Sequence, residues 1–390
     1  MPDILILGGG PAGFYAASTI RKKNVEKSIT IITKESIPAY YRPQLSNYLA
    51  LNENKDYLIK DRNWYVDNKI DIITDKKISK INTNEKYVEL NDDKIYFDKL
   101  ILANGASNFI PPIPGVEKKS VLALRTKQDA ETIKNYMTNS KKAIIVGGGL
   151  LGLEAAVSMI KKGLDVTVIE KSEILLPRQL DTESSKTFFN IIQNSGIKVL
   201  CGTSIKQING NEEVKSVILE NNEELECDLL LFSIGIRSNI NITKGTTIEC
   251  NRGILVNDKM ETSISDVYAC GDVAEFNNIV YGNWTAAMEM GKIAGNNILG
   301  EETYFKGFTL SSVFNGLDTS IFSIGDVCSQ YEEKDILDLS ILENNIIKKC
   351  FFKDNILKGA ILIGDTKKSV KLISGIKKAI NKEEVASIFK

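Results

Sequence analysis

Short apolar runs alternate with glycine turns and polar stretches along this 390-residue chain, and one order of runs occurs twice. Ile4 to Leu7 is an apolar strand ending on Gly8, and Ala143 to Val146 is another ending on Gly147. After each glycine turn comes a helix-like segment and then a second apolar strand, Ser28 to Thr33 in the first case and Val166 to Ile169 in the second. Strand, helix and strand in that order predict parallel βαβ units. Asp71 to Asn104 alternates short apolar strands with Asn and Asp turns, and Pro111, Pro112 and Pro114 follow it, too dense for helix or central strand. This stretch predicts a linker into a second domain. Asp228 to Ser233 closes that domain with a strand, and Gly253 to Asn257 and Asp266 to Asp272 are expected to return to the first. From about Lys306, strand-like runs at Ser320 to Ile324 and Ile356 to Ile363 precede a lysine-rich helical tail.

The two turns read Gly8-Gly9-Gly10-Pro11-Ala12-Gly13 and Gly147-Gly148-Gly149-Leu150-Leu151-Gly152. In a G-x-G-x-x-G turn the first glycine permits the bend, the second lets backbone amides approach a pyrophosphate, and the third brings helix against strand. The second strand of each unit reaches an acid, Glu35 and Glu170, where a carboxylate accepts from a ribose hydroxyl. A glycine turn between strand and helix also arises for packing alone, but a complete unit found twice makes coincidence the weaker account. The chain is therefore expected to bind two dinucleotides, a nicotinamide that delivers a hydride and a flavin that accepts it.

Composition narrows the chemistry. The net charge of -1 gives none of the basicity of a nucleic-acid binder, and no apolar run is long enough to span a bilayer. The N-terminus enters a strand at once, which reads as a cytoplasmic protein. Histidine is absent, removing the Ser-His and Cys-His nucleophile pairs and most catalytic zinc sites, so no metal is expected. Hydride transfer needs alignment more than a proton shuttle and survives this test. The six cysteines, Cys201, Cys227, Cys250, Cys270, Cys328 and Cys350, are scattered without metal or cluster spacing and are expected to be buried, reduced thiols.

Both fingerprints, Tyr41 to Ser46, Ala103-Asn104-Gly105, Leu124-Arg125-Thr126, Leu176 to Asp181 and Tyr268 to Asp272 together resemble the FAD-dependent pyridine nucleotide-disulfide reductase superfamily. Within it the chain is most similar to NADH:rubredoxin oxidoreductases and the flavoprotein portion of NADH-dependent nitrite reductases. The resemblance implies an α/β fold with two Rossmann-like domains: FAD over 1–110 and 236–305, NAD inserted over 111–235, and a small α/β domain over 306–390. It implies that Gly8, Gly10, Pro11, Ala12 and Gly13 cradle the FAD pyrophosphate. Glu35 would hold the adenosine ribose, Asp272 the ribitol, and Arg42 a phosphate or the flavin. Ile78 would offer its backbone to adenine, Arg125 is a further FAD contact, and Ala103, Gly105 and Gly235 complete the set. The helix beginning near Trp284 and Thr285 would point its positive end at the flavin. Gly147, Gly149, Leu150, Leu151, Gly152 and Glu170 would bind NADH, with Glu154 near the nicotinamide. Plainer roles stand beside these: surface charge for Arg42, strand packing for Ile78, and a helix N-terminal acid for Glu154.

The departures from the family pattern are informative. Pro38 to Leu51 holds no cysteine, so thiol-relay chemistry is not expected. Asn47 stands where oxygenase-type relatives have a lysine paired with the equivalent of Glu154, and Asn104 replaces the usual threonine. The expected reaction runs from NADH through FAD to an external one-electron carrier, a small acidic protein such as rubredoxin. The rivals are the flavoprotein of a nitrite reductase or oxygenase system, an NADH oxidase, or a redox-responsive scaffold. Lys371, Lys378 and Lys382 would share a face for the carrier if the tail is one helix, although Gly375 could interrupt it and a solvated face is the plainer reading.

Overall fold

The computed structural model describes residues 1–53, 55–90 and 93–390. They divide into two compact units. The first comprises Met1–Gln44, Asn54–Asn108 and Gly235–Phe308, and the second comprises Leu45–Glu53, Phe109–Ile234 and Thr309–Lys390.

In the first unit Ile4–Leu7 lies at the centre of a five-stranded parallel sheet. Ile29–Ile32 and then Ile70–Ile73 flank it on one side, and Lys99–Leu102 and then Val267–Ala269 on the other. The register pairs Ile4 with Ile29 and with Lys99. The inner strands are short, mostly apolar runs because both faces are covered, and Leu5, Ile6, Leu100 and Ile101 are fully buried. Lys80–Asn82, Tyr87–Leu90 and Asp93–Tyr96 form a small antiparallel sheet before the chain re-enters the main one.

The second unit repeats this plan. Lys142–Val146 is central, with Asp165–Ile169 and Lys198–Leu200 on one side and Leu229–Phe232 and Val121–Ala123 on the other. Ile205–Asn209, Ser216–Leu219 and Glu224–Glu226 supply the equivalent small antiparallel sheet.

The same unit carries a further, five-stranded antiparallel sheet, in spatial order Ser311–Gly316, Thr319–Gly325, Ile356–Ile363, Ile347–Lys353 and Ile336–Asp338. The helices Ser369–Lys378 and Lys382–Phe389 cover it through Leu372 and Val385, both fully buried. Its Lys349 is only 5% exposed. The ammonium lies 3.0 Å from Asp181 Oδ2 and also bonds Glu183, at the start of the Thr182–Asn194 helix, with Asp338 3.8 Å away. Burial opposes this charge, but the hydrogen bonds Lys349 donates to Glu183 and Asp181 outweigh it and hold its pKa above the ordinary value. Phe188 of the Thr182–Asn194 helix packs on Phe314 of this sheet with ring centroids 5.2 Å apart.

The tail is two helices rather than one, which corrects the expected lysine face. Gly375 continues the first helix, but Ala379 adopts φ +55° after Lys378, and Asn381 with Glu384 forms a capping box that starts the second. Lys382 donates to the carbonyls of Lys334 and Ile336. Lys371 and Lys378 remain exposed on the first helix. Among the described residues no helix is long and apolar enough to cross a membrane.

Candidate cofactor sites

Each parallel sheet ends in a glycine turn where the central strand meets its helix, the place where a doubly wound sheet binds nucleotides. The three motif glycines do different work. Gly8 has φ +118°, and a Cβ there would lie 2.1 Å from the Ala103 carbonyl oxygen; Gly147 has φ +114°, with the Ser233 oxygen at 2.3 Å. A Cβ on Gly13 would meet the Gly8 oxygen at 2.0 Å, and one on Gly152 the Gly147 oxygen at 2.2 Å. The middle positions are open instead. A Cβ on Gly149 would meet nothing within 4 Å, and one on Gly10 only Arg42 Nη2 at 3.9 Å. The room left at these two positions is what a pyrophosphate approaching backbone amides requires. Both turns therefore fit a dinucleotide.

In the first unit Pro11 begins the Pro11–Lys23 helix, where its missing N–H costs nothing, and Ala12 is buried. Gly271, at φ +76°, would bring a Cβ to 2.8 Å from the Ala12 Cβ, so Asp272 follows directly after a close contact with the first turn of that helix. The Asp272 carbonyl accepts from Ser238 Oγ at 2.7 Å. Arg42 is paired with Glu35, which also accepts from Tyr40 OH at 2.6 Å. Burial opposes the Arg42 charge, but Glu35, with Tyr40 and Asp272 adding to it, keeps its pKa above the ordinary value. Arg42 is thus a half-buried guanidinium beside Gly10, not a free surface charge.

Ala103 is buried with its N–H on Leu7 O, and Gly105 has φ +65°. Asn104 and Asn239 clasp each other, each amide nitrogen donating to the other's carbonyl, at 2.9 and 2.8 Å. Ile78 is half-buried between strands, outside any ladder. Thr285 is exposed in the first turn of the Trp284–Asn297 helix, whose Asn283 cap takes the Thr285 and Ala286 amides. Two of the amides expected to face the flavin are therefore already satisfied.

In the second unit Leu150 opens the Leu150–Ile160 helix and Leu151 is exposed beside the open turn. Glu170, at the end of Asp165–Ile169, accepts from the Gly148 N–H at 2.6 Å and the Ser172 N–H at 2.8 Å, which fixes its carboxylate against the glycine turn. Arg125 lies in this unit, its N–H on Asp129 Oδ2 just before the Lys127–Asn139 helix. Gly235 is exposed, with φ +98°.

Glu154 stands past the first turn of its helix, so the role of an N-terminal acid does not apply. Its Oε2 accepts from Ser46 Oγ at 2.7 Å, a partner the sequence did not suggest. Burial raises the Glu154 pKa above the ordinary carboxylate value, with the Ser46 hydrogen bond acting in the opposite direction. Asn47 is exposed. All six cysteines are free, and Cys227, Cys270 and Cys350 are buried, but Cys328 is exposed, which corrects the expectation of uniform burial. Burial pushes the thiols of Cys227, Cys270 and Cys350 up to about 12 and that of Cys201 to about 11, so none of these is a ready thiolate.

Comparison with known proteins agrees with this geometry. Residues 2–291 match the pyridine nucleotide-disulphide oxidoreductase family, and residues 311–383 match the rubredoxin NAD+ reductase C-terminal domain. The chain is 34% identical to NADH-rubredoxin oxidoreductase of Clostridium acetobutylicum, over 99% of this chain and 97% of that one. It is 35% identical to a nitrite reductase (NAD(P)H) of Bacillus subtilis, where it covers 99% of itself but 48% of the relative, about half that protein's length. The crystal structure of NADH:rubredoxin oxidoreductase from Clostridium acetobutylicum superposes with TM-score 0.81 at 33% identity, over 97% of this chain and 96% of that one. With two nucleotide turns in place and a match over three quarters of its length, the chain belongs to the pyridine nucleotide-disulphide oxidoreductase family.

Proposed function

We propose that the chain is an NADH-dependent FAD oxidoreductase that passes electrons to an external one-electron carrier, rubredoxin first among the candidates. The carrying observation is the pair of turns whose middle glycines, Gly10 and Gly149, both face open space. FAD is assigned to 1–110 and 236–305, NADH to 111–235, and carrier recognition to 306–390, in a protein of the cytoplasm.

When bound, FAD supplies a ring that takes an electron pair as hydride and returns electrons singly. Gly8, Gly10, Pro11, Ala12 and Gly13 hold its pyrophosphate, with Arg42 set beside Gly10 by Glu35. The Asp272 carboxylate takes the ribitol, while Ile78, Ala103, Gly105, Gly235 and Thr285 complete the enclosure. Gly147, Gly149, Leu150, Leu151 and Gly152 hold the NADH pyrophosphate, and Glu170 accepts from its ribose. Glu154 orients the nicotinamide. No side chain has to shuttle a proton, which suits a chain without histidine.

The carrier assignment is supported by the C-terminal match and by the rubredoxin-directed relative. The similarity to half of a nitrite reductase supports a second reading, the flavoprotein of a nitrite reductase system. A stopped-flow acceptor screen decides between them: NADH should bleach the flavin, and reduced rubredoxin should then form far faster than peroxide or water. Lys371→Glu with Lys378→Glu should slow carrier reduction and flatten its salt dependence while leaving flavin bleaching unchanged. Reoxidation by oxygen alone would replace the carrier reading.

A further inference from the structure

Ser46 and Glu154 are far apart in sequence, and no motif joins them. Ser46 is 1% exposed, and its hydroxyl donates to Glu154 Oε2 at 2.7 Å. Its carbonyl accepts from Ser158 Oγ, also at 2.7 Å, and Ser158 is 3% exposed. Glu154 and Ser158 are four residues apart and so share one face of the Leu150–Ile160 helix. That face grips a single serine twice, by its side chain and by its backbone.

The surrounding contacts stiffen the grip. The Lys134 ammonium lies 4.2 Å from the centre of the Tyr48 ring, and Lys162 donates to Asn52 Oδ1. The short helix Leu45–Tyr48 and the residues after it are thereby held on the nucleotide-binding part of the second unit. The direction of the Ser46 hydroxyl is set by this packing rather than by solvent.

A glutamate with a mobile side chain loses rotamer freedom when a ligand orders it. A fixed donor on Oε2 removes that cost before the ligand arrives and leaves Oε1 for it. The donor is also uncharged. Unlike an ammonium, a hydroxyl does not lock the carboxyl in its ionised form, and a nicotinamide carboxamide offers both an N–H donor and a C=O acceptor.

We propose that Ser46 is a positioning residue for the nucleotide, its hydroxyl holding the Glu154 carboxyl in the orientation that meets the carboxamide end of NADH. This rests on the reading above that NADH occupies the Gly147–Gly152 turn.

The test is calorimetric titration of the FAD-loaded chain with NAD+, for the parent, Ser46→Ala, Ser46→Thr, Glu154→Gln and the Ser46→Ala/Glu154→Gln double variant. Ser46→Ala should weaken NAD+ binding about tenfold in the parent background. In the Glu154→Gln background the same change should cost less than about twofold, because a residue acting through another loses its effect when that other is altered. Ser46→Thr keeps the hydroxyl and should recover most of the affinity. Should the extra methyl unfold the buried site, seen as a lowered melting temperature, the double-variant comparison still decides. Equal losses in both backgrounds, or no loss from Ser46→Ala in the parent, would overturn the proposal. Gly149→Val separates the two levels, since it fills the open side of the turn. If Gly149→Val leaves NAD+ binding intact, the nucleotide assignment falls and the Ser46 role with it. If it abolishes binding while Ser46→Ala does nothing, only the role of Ser46 falls.

Discussion

Beside the first glycine turn Glu35 is held by Arg42 and Tyr40; beside the second Glu170, which stands where the first unit has Thr33, is held by the backbone amides of Gly148 and Ser172. The central strand, its two neighbours and the glycine turn are arranged alike in the two sheets, although the edge strand Val121–Ala123 precedes its central strand in the chain where Val267–Ala269 follows. The first turn thus comes with a guanidinium already placed beside its open glycine, whereas the second offers backbone amides, a clamped acid and empty space. A preset cation favours long retention of a pyrophosphate, through charge-assisted hydrogen bonds to a planar fork. A turn without one suits a nucleotide that must leave in every cycle. On the proposed assignment, one copy of the plan would serve a resident cofactor and the other an exchanging one.

Breaking each turn separately should give the largest effects. Gly8→Ala puts a Cβ into the Ala103 carbonyl at an unfavourable φ, so the protein should purify with little flavin colour. Gly147→Ala should keep the colour and lose roughly a hundredfold in kcat/KM for NADH, as overlap and strain of a few kcal/mol accumulate in one turn. Visible absorbance per mole of chain and rapid-mixing reduction read the two outcomes, and equal loss of flavin in both variants would erase the distinction.

Arg42→Met tests the preset cation itself. Loss of a charged hydrogen-bond donor should weaken FAD retention roughly tenfold or more, measured by equilibrium dialysis, with NAD+ binding unchanged. On the other side, Glu170→Arg should narrow or reverse the NADH over NADPH ratio of kcat/KM values if the acid faces the ribose as proposed, where it would repel a 2′-phosphate. An unchanged ratio would mean that Glu170 only braces the turn.

The smallest effect is one of pH. The Glu154 pKa is raised in the folded chain because burial penalises the ionised carboxylate. A raised acid contributes stability that is full below its unfolded value, near 4.5, and is lost as pH rises through the folded value. The melting temperature of the parent relative to Glu154→Gln should therefore fall as pH rises from below 4.5 towards neutrality. A difference that stays flat across this range would show that the carboxyl is not held in a desolvated place.

Both turns were legible in the sequence because their backbone tolerates only glycine: a side chain at Gly8, Gly13, Gly147 or Gly152 would collide with main-chain atoms. The strands were legible for a similar reason, since doubly covered strands are plain apolar runs, and Ile356–Ile363 was read to the residue. Contacts between distant polar residues left no such trace. Nothing at Ser46 announces Glu154, and nothing at Lys349 announces Asp181 and Glu183. The break in the tail had one readable sign, Asn381 followed by Glu384, but the turn itself rests on a left-handed alanine, Ala379, a residue type with no preference for that conformation.

Lys349 bears on how this chain could be cut or joined. A gene designer would place a module boundary near residue 310, where one family match gives way to the next. The physical seam is elsewhere. Excising the terminal sheet would remove the ammonium between Asp181 and Glu183 and uncover Phe188, so the remainder would carry unneutralised acids beside a bare aromatic face. Any shorter reductase made from this sequence would need a redesigned surface there, and any fusion partner added to it inherits the sheet as part of the scaffold.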